Sequence, residues 1–253
     1  MRPDAAAALS AAGRFARRPG LWLFLLLVAA IFLMPSAGIL FHALFPDDRH
    51  LIYSRATFLE LTLAHCQLVA LSSLAAAAAG IGLGVFATRE SGREFAPVVR
   101  AMAAIGQTFP PVAVLALAIP ALGYGAPPAL AALALYAALP VLEGSITGLD
   151  GVPASARDAA RGIGFSPFEL LWRIELPLAA PFILAGLRTA VIINIGTATI
   201  ASSAGALSLG SPILEGLSAA NPAYVVEGGI IAALLAICVD RGFDWLSELL
   251  KQK

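Results

Sequence analysis

The chain has 253 residues, 59% of them hydrophobic and only 13% charged, with a formal net charge of zero. Soluble domains carry about 25% charged residues, so an ordinary water-soluble enzyme is excluded, and the absence of a basic excess argues against a nucleic-acid binder. The only lysines, Lys251 and Lys253, end the chain, which rules out a phosphate-binding loop built on lysine, and Cys66 and Cys238 lie far apart in apolar runs with no disulfide pattern.

A bilayer core about 30 Å thick takes about 20 helical residues to cross. The first such run is 21–41, which has no charge; Arg14-Phe15-Ala16-Arg17-Arg18 precede it and Pro35-Ser36-Ala37-Gly38 close it. The same arrangement also fits a cleaved secretory signal, which would leave five spans. A second run covers 63–87 with an alanine-rich middle. Between Arg100 and Glu143 there is no Asp, Glu, Lys or Arg. That stretch is too long for one crossing, and Gly123-Tyr124-Gly125-Ala126-Pro127-Pro128 divides it into spans near 97–119 and 128–149. Gln107-Thr108 followed by Pro110-Pro111 marks a break inside the third span. The fifth span covers 178–203 with Arg188 as its one charge, and the sixth covers 224–239, continuing to about 243, with Glu227 as its one charge.

The expectation is therefore an all-α, polytopic integral membrane protein of about six transmembrane helices. Residues 1–20 form an N-terminal segment, 21–245 the membrane domain with its core at about 60–240, and 246–253 a tail. Arg2, Arg14, Arg17 and Arg18 lie before the first span, Arg89 and Arg93 after the second, Arg157, Arg161 and Arg173 after the fourth, and Arg241, Lys251 and Lys253 after the sixth; the alternate loops hold only Arg49 and Arg55. The excess of basic residues marks the cytoplasmic side, so both termini are expected there.

The loop 151–177 is the one long polar connection on that side. Pro153 suits a first helical position, Ala156, Ala159, Ala160 and Ile163 follow at helical spacing, and Gly162 and Gly164 end the helix. Ser166-Pro167-Phe168-Glu169 reads as a capping box. A second short helix then carries Leu170, Leu171, Trp172 and Ile174 into Leu176-Pro177, where the proline is expected to reset the chain before the fifth span. A small-residue face lets another surface approach closely, while the same pattern also suits an amphipathic hairpin lying on the membrane.

The spacing of Asp158-Ala159-Ala160, Gly164, Ile174 and Leu176-Pro177 resembles the EAA loop of ABC importer permeases, with Asp158 where that family usually has Glu. The stretches 106–113 and 176–201 are similar to the osmoprotectant branch of the family, which imports glycine betaine, choline, carnitine or proline-type solutes, and the likeness to betaine permeases of the Yeh type runs through nearly the whole chain. This resemblance implies a type I importer fold in a bacterial inner membrane. It implies partners in cytoplasmic ATPase subunits, a periplasmic or extracellular substrate-binding protein, and a second permease, identical or related. It also implies that Asp158, Ala159, Ala160, Gly164, Ile174, Leu176 and Pro177 couple to the ATPase, which binds the ATP; the permease itself needs no cofactor. No HExxH, GxSxG or CxxC pattern is present, and the three histidines His42, His50 and His65 suggest neither a catalytic group nor a metal site.

Polar residues inside the spans are the candidates for a translocation pathway. Arg188 needs protein, water or a carboxylate around it; Glu227 and Glu143 are the expected partners, and lining the route is the other reading. Asn194 and Thr197 share a helix face, and with Thr199, Ser202 and Ser203 they suit either helix contacts or a wet route. Gln107, Thr108 and Phe109 flank the break in span three, and Phe109 and Tyr136 offer aromatic faces of the kind that hold quaternary ammonium groups. A secondary transporter would show inverted repeats and coupling-ion carboxylates, and neither is evident. The same importer machinery carrying an amino acid or another betaine remains an open alternative.

Overall fold

The computed structural model describes residues 19–251 apart from Asp47 and Arg49. The expectations for residues 1–18, for Arg49 and for Lys253 lie outside the described residues. All regular structure among the described residues is helical. Among the described residues four helices are long and apolar enough to cross a membrane, and two bent pairs bring the number to six where each pair counts as one span.

The first pair is α1 (Pro19–Leu33) and α2 (Gly38–Leu44), joined through a 3-10 turn at Met34–Ser36 and bent by 81°. The run 21–41 is thus a broken span rather than a straight one, because Pro35 cannot donate a hydrogen bond to continue α1. Helix α3 (Phe58–Thr88) begins earlier than its apolar run, where the Thr57 hydroxyl accepts the Glu60 N–H and the Glu60 carboxylate accepts the Thr57 N–H. The second pair, α4 (Ala96–Thr108) and α5 (Pro111–Leu122), turns by 96° at Phe109-Pro110. Two adjacent prolines leave two missing donors there, so the break anticipated at this point is a right-angled corner.

Helix α6 (Ala126–Asp150) follows a turn in which Gly123 and Gly125 have φ of +78° and +110°, values that L side chains avoid. The connection 151–175 leads into α9 (Leu176–Thr197), which tightens to a 3-10 helix over Ala198–Ala204. The segment 204–223, read above as a loop, contains α10 (Gly210–Ala219), whose first turn is held where the buried Ser208 hydroxyl accepts the Gly210 N–H at 2.9 Å. The last helix, α11 (Pro222–Lys251), runs well past the expected end of span six.

Helix α6 is the centre, packed against both α3 and α9. Lipid gives helices no hydrophobic reason to associate, so close packing at small residues must hold them. A Cβ on Gly84 of α3 would lie 2.5 Å from the Ser145 Cβ, and one on Gly186 of α9 would lie 2.4 Å from the Pro140 carbonyl oxygen. Polar contacts reinforce the α3–α9 seam: buried Asn194 donates to the Ser72 and Ser73 hydroxyls at 3.0 and 3.1 Å, and His65 Nε2 lies 3.0 Å from the Ile195 carbonyl oxygen.

These contacts predict opposite outcomes along one helix. Gly84→Val and Gly186→Val should each lower stability in detergent by about 1–3 kcal/mol, the usual cost of overpacking. Gly82→Val, where a Cβ meets nothing within 4 Å, should leave the melting temperature near that of the parent. Thermal unfolding of the three purified variants checks this.

Candidate functional site

The connection 151–177 folds as a hairpin. Pro153 is the N-cap of α7 (Ala154–Gly162), one position before the one expected. At the far end the Phe165 N–H reaches the Ala160 carbonyl and the Gly164 N–H reaches Arg161, with Gly164 at φ +90°. That is a Schellman closure, and it requires a residue free to adopt the left-handed region. The capping box forms as read: the Ser166 hydroxyl accepts the Glu169 N–H, and the Glu169 carboxylate accepts the Ser166 N–H at 3.1 Å, starting the single turn α8 (Pro167–Leu170).

Pro177 does not reset the chain. A π-turn at Leu171–Glu175, in which the Leu176 N–H bonds back to Leu171, leads straight into α9. The proline then falls in the first turn of α9, where its missing N–H costs the helix nothing.

Ala156, Ala159, Ala160, Ile174, Pro177 and Leu178 line an apolar groove of about 460 Å³ between the two arms. Four of the seven coupling candidates, Ala159, Ala160, Ile174 and Pro177, are thus brought together. Leu176 is half-buried outside the groove, Gly164 makes the tip turn, and exposed Asp158 lies 3.6 Å from Arg161. Beside them Ile163, Phe168 and Trp172 are 75%, 68% and 57% exposed. Exposed apolar side chains of this size beside a small-residue groove are a feature that interaction surfaces share. At the base of the hairpin Glu175, which the sequence reading did not single out, is buried between Arg89 and Arg157.

The pathway candidates do not converge. Arg188 reaches neither Glu227 nor Glu143: its Nε donates to Asp240 and its Nη1 to Asp244, each at 2.6 Å. The reason is the length of α11, which brings two carboxylates one turn apart alongside α9. Glu143 pairs with Arg100 at 3.5 Å, and buried Glu227 accepts the Tyr53 N–H at 3.0 Å. Asn194 is fully buried in the α3–α9 seam and faces no open route. Gln107 donates to the Tyr136 carbonyl oxygen at 2.6 Å and so ties α4 to α6. Phe109 is exposed at the corner while the Tyr136 ring is buried, so the two do not make a cage. Thr108 is exposed, Thr197 and Thr199 are half-buried, and the Thr108 and Thr199 hydroxyls bond back to Ile105 and Gly196.

A family described as binding-protein-dependent transport system inner membrane component matches residues 80–252. The chain belongs to this family. It is a multi-pass membrane permease subunit of a binding-protein-dependent importer, and the hairpin, α9 and α11 all fall inside the matched region. The permease is 42% identical to the choline transport system permease protein OpuBB of Bacillus subtilis over 63% of this chain and 73% of that one. It is 38% identical to the osmoprotectant import permease protein OsmY of Salmonella typhimurium over 74% and 79%. With the osmoprotectant import permease protein OsmW of the same organism it shares 36% identity over 81% and 95%. Its fold is similar to that of a chain in the MetNI methionine ABC transporter solved in inward-facing conformations: the TM-score is 0.68 at 18% identity, covering 76% of this chain and 95% of that one.

The Arg188 cluster can be measured directly. Arg188→Ala takes the cation from Asp240 and leaves Asp244 with only Arg241, at 3.3 Å. The expected loss lies between about 1 kcal/mol for an exposed pair and about 3 kcal/mol for a buried one. Arg188→Ala combined with Asp240→Asn should be more stable than Arg188→Ala alone. Melting temperatures across this double-mutant cycle test the pairing.

Proposed function

We propose that this permease imports glycine betaine, choline or a closely related osmoprotectant, driven by ATP that is bound and hydrolysed on a separate ATPase chain. The observation that carries the cargo is the run of choline and osmoprotectant permeases among its relatives, which match it at 36–42% identity. The groups left open at the α4–α5 corner and along the 3-10 end of α9 suit this cargo. Thr108, Phe109, Thr197 and Thr199 carry no charge and bind a zwitterion only weakly, which favours release.

The hairpin is the docking element. Exposed Ala159 offers a surface that another backbone can approach, buried Ala160 with Ile174 and Pro177 forms the floor of the groove, and the exposed Ile163, Phe168 and Trp172 supply apolar area. The basic loops put this hairpin and both termini in the cytoplasm. Six spans enclose half a pathway, and the exposed apolar face of α4 and the corner, with Val98, Met102, Ile105, Phe109 and Val112, fits a second permease, identical or related. The permease itself makes and breaks no covalent bond.

Cells carrying the permease with its own ATPase and binding protein should accumulate labelled glycine betaine or choline, and uptake should survive collapse of the proton gradient. A binding protein that ignores every quaternary ammonium solute and holds another ligand would overturn the cargo assignment alone. Docking has a separate test. Ala159→Arg and Gly164→Asp should insert normally yet lose both ATPase co-purification and uptake, and normal co-purification in either variant would refute it.

A further inference from the structure

Glu175 closes the π-turn Leu171–Glu175 and is 2% exposed. Both of its oxygens are taken: Oε1 accepts the Arg157 Nε at 2.9 Å, and Oε2 accepts the Arg89 guanidinium. Arg157 turns a second nitrogen to the Leu149 carbonyl oxygen at 2.6 Å. The partners come from different bodies. Arg89 caps the end of α3, Arg157 belongs to hairpin helix α7, Leu149 lies in the last turn of α6, and Glu175 leads into α9.

Helix α7 packs chiefly on α8 and the π-turn. A cavity of about 800 Å³, lined in part by Arg89, Arg157, Phe165 and Glu175, opens between the hairpin and the turn after α3. The tie therefore rests on charge-assisted bonds, which are short, directional and stronger than neutral ones. A π-turn is rare and tends to occur at functional positions. Here it stands at the junction through which any motion of the hairpin must enter α9.

We propose that Glu175 is a positioning residue for energy coupling. It fastens the hairpin to the ends of α3, α6 and α9, so that displacement of the hairpin moves these helices as one body instead of being lost as bending at its base. This rests on the hairpin being the ATPase docking element. Glu175 itself, buried behind that surface, takes no part in docking.

The experiment uses the permease assembled with its ATPase and binding protein in proteoliposomes, and reads glycine betaine transported per ATP hydrolysed. Glu175→Gln should keep the ATPase at parental stoichiometry while the transport ratio falls at least tenfold. Glu175→Asp should recover part of the ratio, and Arg89→Lys and Arg157→Lys, which keep the charge but lose the fork, should lose about threefold. Adding Arg89→Gln to Glu175→Gln should cost little more, because the tie is already broken. An unchanged ratio in Glu175→Gln overturns the proposal. So does loss of the ATPase from that variant, which would make Glu175 part of the docking surface. If Glu175→Gln does not accumulate in the membrane, Arg89→Lys decides: a parental ratio there overturns the proposal and a lowered one supports it. A wrong cargo shows instead as a parent complex that carries no glycine betaine, and coupling is then read as stimulation of ATP hydrolysis by the binding protein, which Glu175→Gln should abolish. A wrong docking assignment shows as Gly164→Asp keeping its ATPase.

Discussion

Helices in lipid gain nothing by hiding apolar surface from one another, so their association depends on how closely their backbones can meet. In this permease that constraint falls on α6. Its neighbours approach it at Gly84 and Gly186, and its own Gly144 and Gly148 meet the α9 backbone, where a Cβ would lie 2.6 Å from the Phe182 oxygen and 2.8 Å from the Ala179 oxygen. The close α6–α9 approach continues to the end of the pair. Gly148 touches the first turns of α9, so the chain leaves α6 and re-enters α9 at nearly the same place. The hairpin between them is projected from a narrow, fixed base, and its position follows from the packing of the core rather than from its own sequence.

Polar side chains in the spans serve the same purpose. Buried groups away from water take the nearest partner that satisfies them, and in a bundle that partner is on the next helix. Asn194 finds Ser72 and Ser73, Gln107 finds the Tyr136 carbonyl, and Arg188 finds Asp240 and Asp244. Each joins two helices. The side chains assigned to the solute in the proposed function are the short hydroxyls and the Phe109 ring at the places where helical geometry breaks, the Pro110 corner and the 3-10 end of α9. Irregular backbone in a membrane is tolerated where it is covered by protein or faces a water-filled space, so the breaks and the open groups coincide for one physical reason.

What could be read from the sequence divides along the same line. Local signals were legible. The Ser166 and Glu169 box, the glycine closure at Gly164, the Pro110-Pro111 break and the apolar runs all depend on residues a few positions apart, and the structure contains them. Signals that depend on distant partners were not. Helix α10 is rich in Ser, Gly, Ala and Pro and reads as a loop; it exists because Gly228 of α11 comes so close that a Cβ there would lie 2.7 Å from the Leu209 oxygen. The partners of Arg188 are 52 and 56 residues away, at the very end of the expected sixth span and just past it. Pro177 was misread because a proline stops an α-helix only if a bond is due at its nitrogen, and the preceding π-turn had already shifted the bonding register. Glu175 stood between Ile174 and Leu176 with no local pattern to mark it, since its meaning lies in Arg89, 86 residues earlier.

As the proposed docking element, the hairpin combines two demands that usually oppose each other. A surface that receives a partner needs exposed apolar groups, and exposed apolar loops tend to be mobile and lose binding energy to ordering. Here the ordering is done in advance by short-range devices: the Schellman closure at Gly164, the Ser166 box, and the Arg173 guanidinium 5.6 Å from the centre of the Phe165 ring. An element made stiff in this way transmits displacement only if its root is stiff too, and Glu175 is buried at that root. Substituting an apolar side chain for Glu175 would fill the space but join only its immediate neighbours, whereas one carboxylate with two bound arginines reaches three helices and the hairpin at once. A buried charge is a costly way to add stability. It is an effective way to join several bodies at a single point, and the ends of α3, α6 and α9 nearest the hairpin meet at that point.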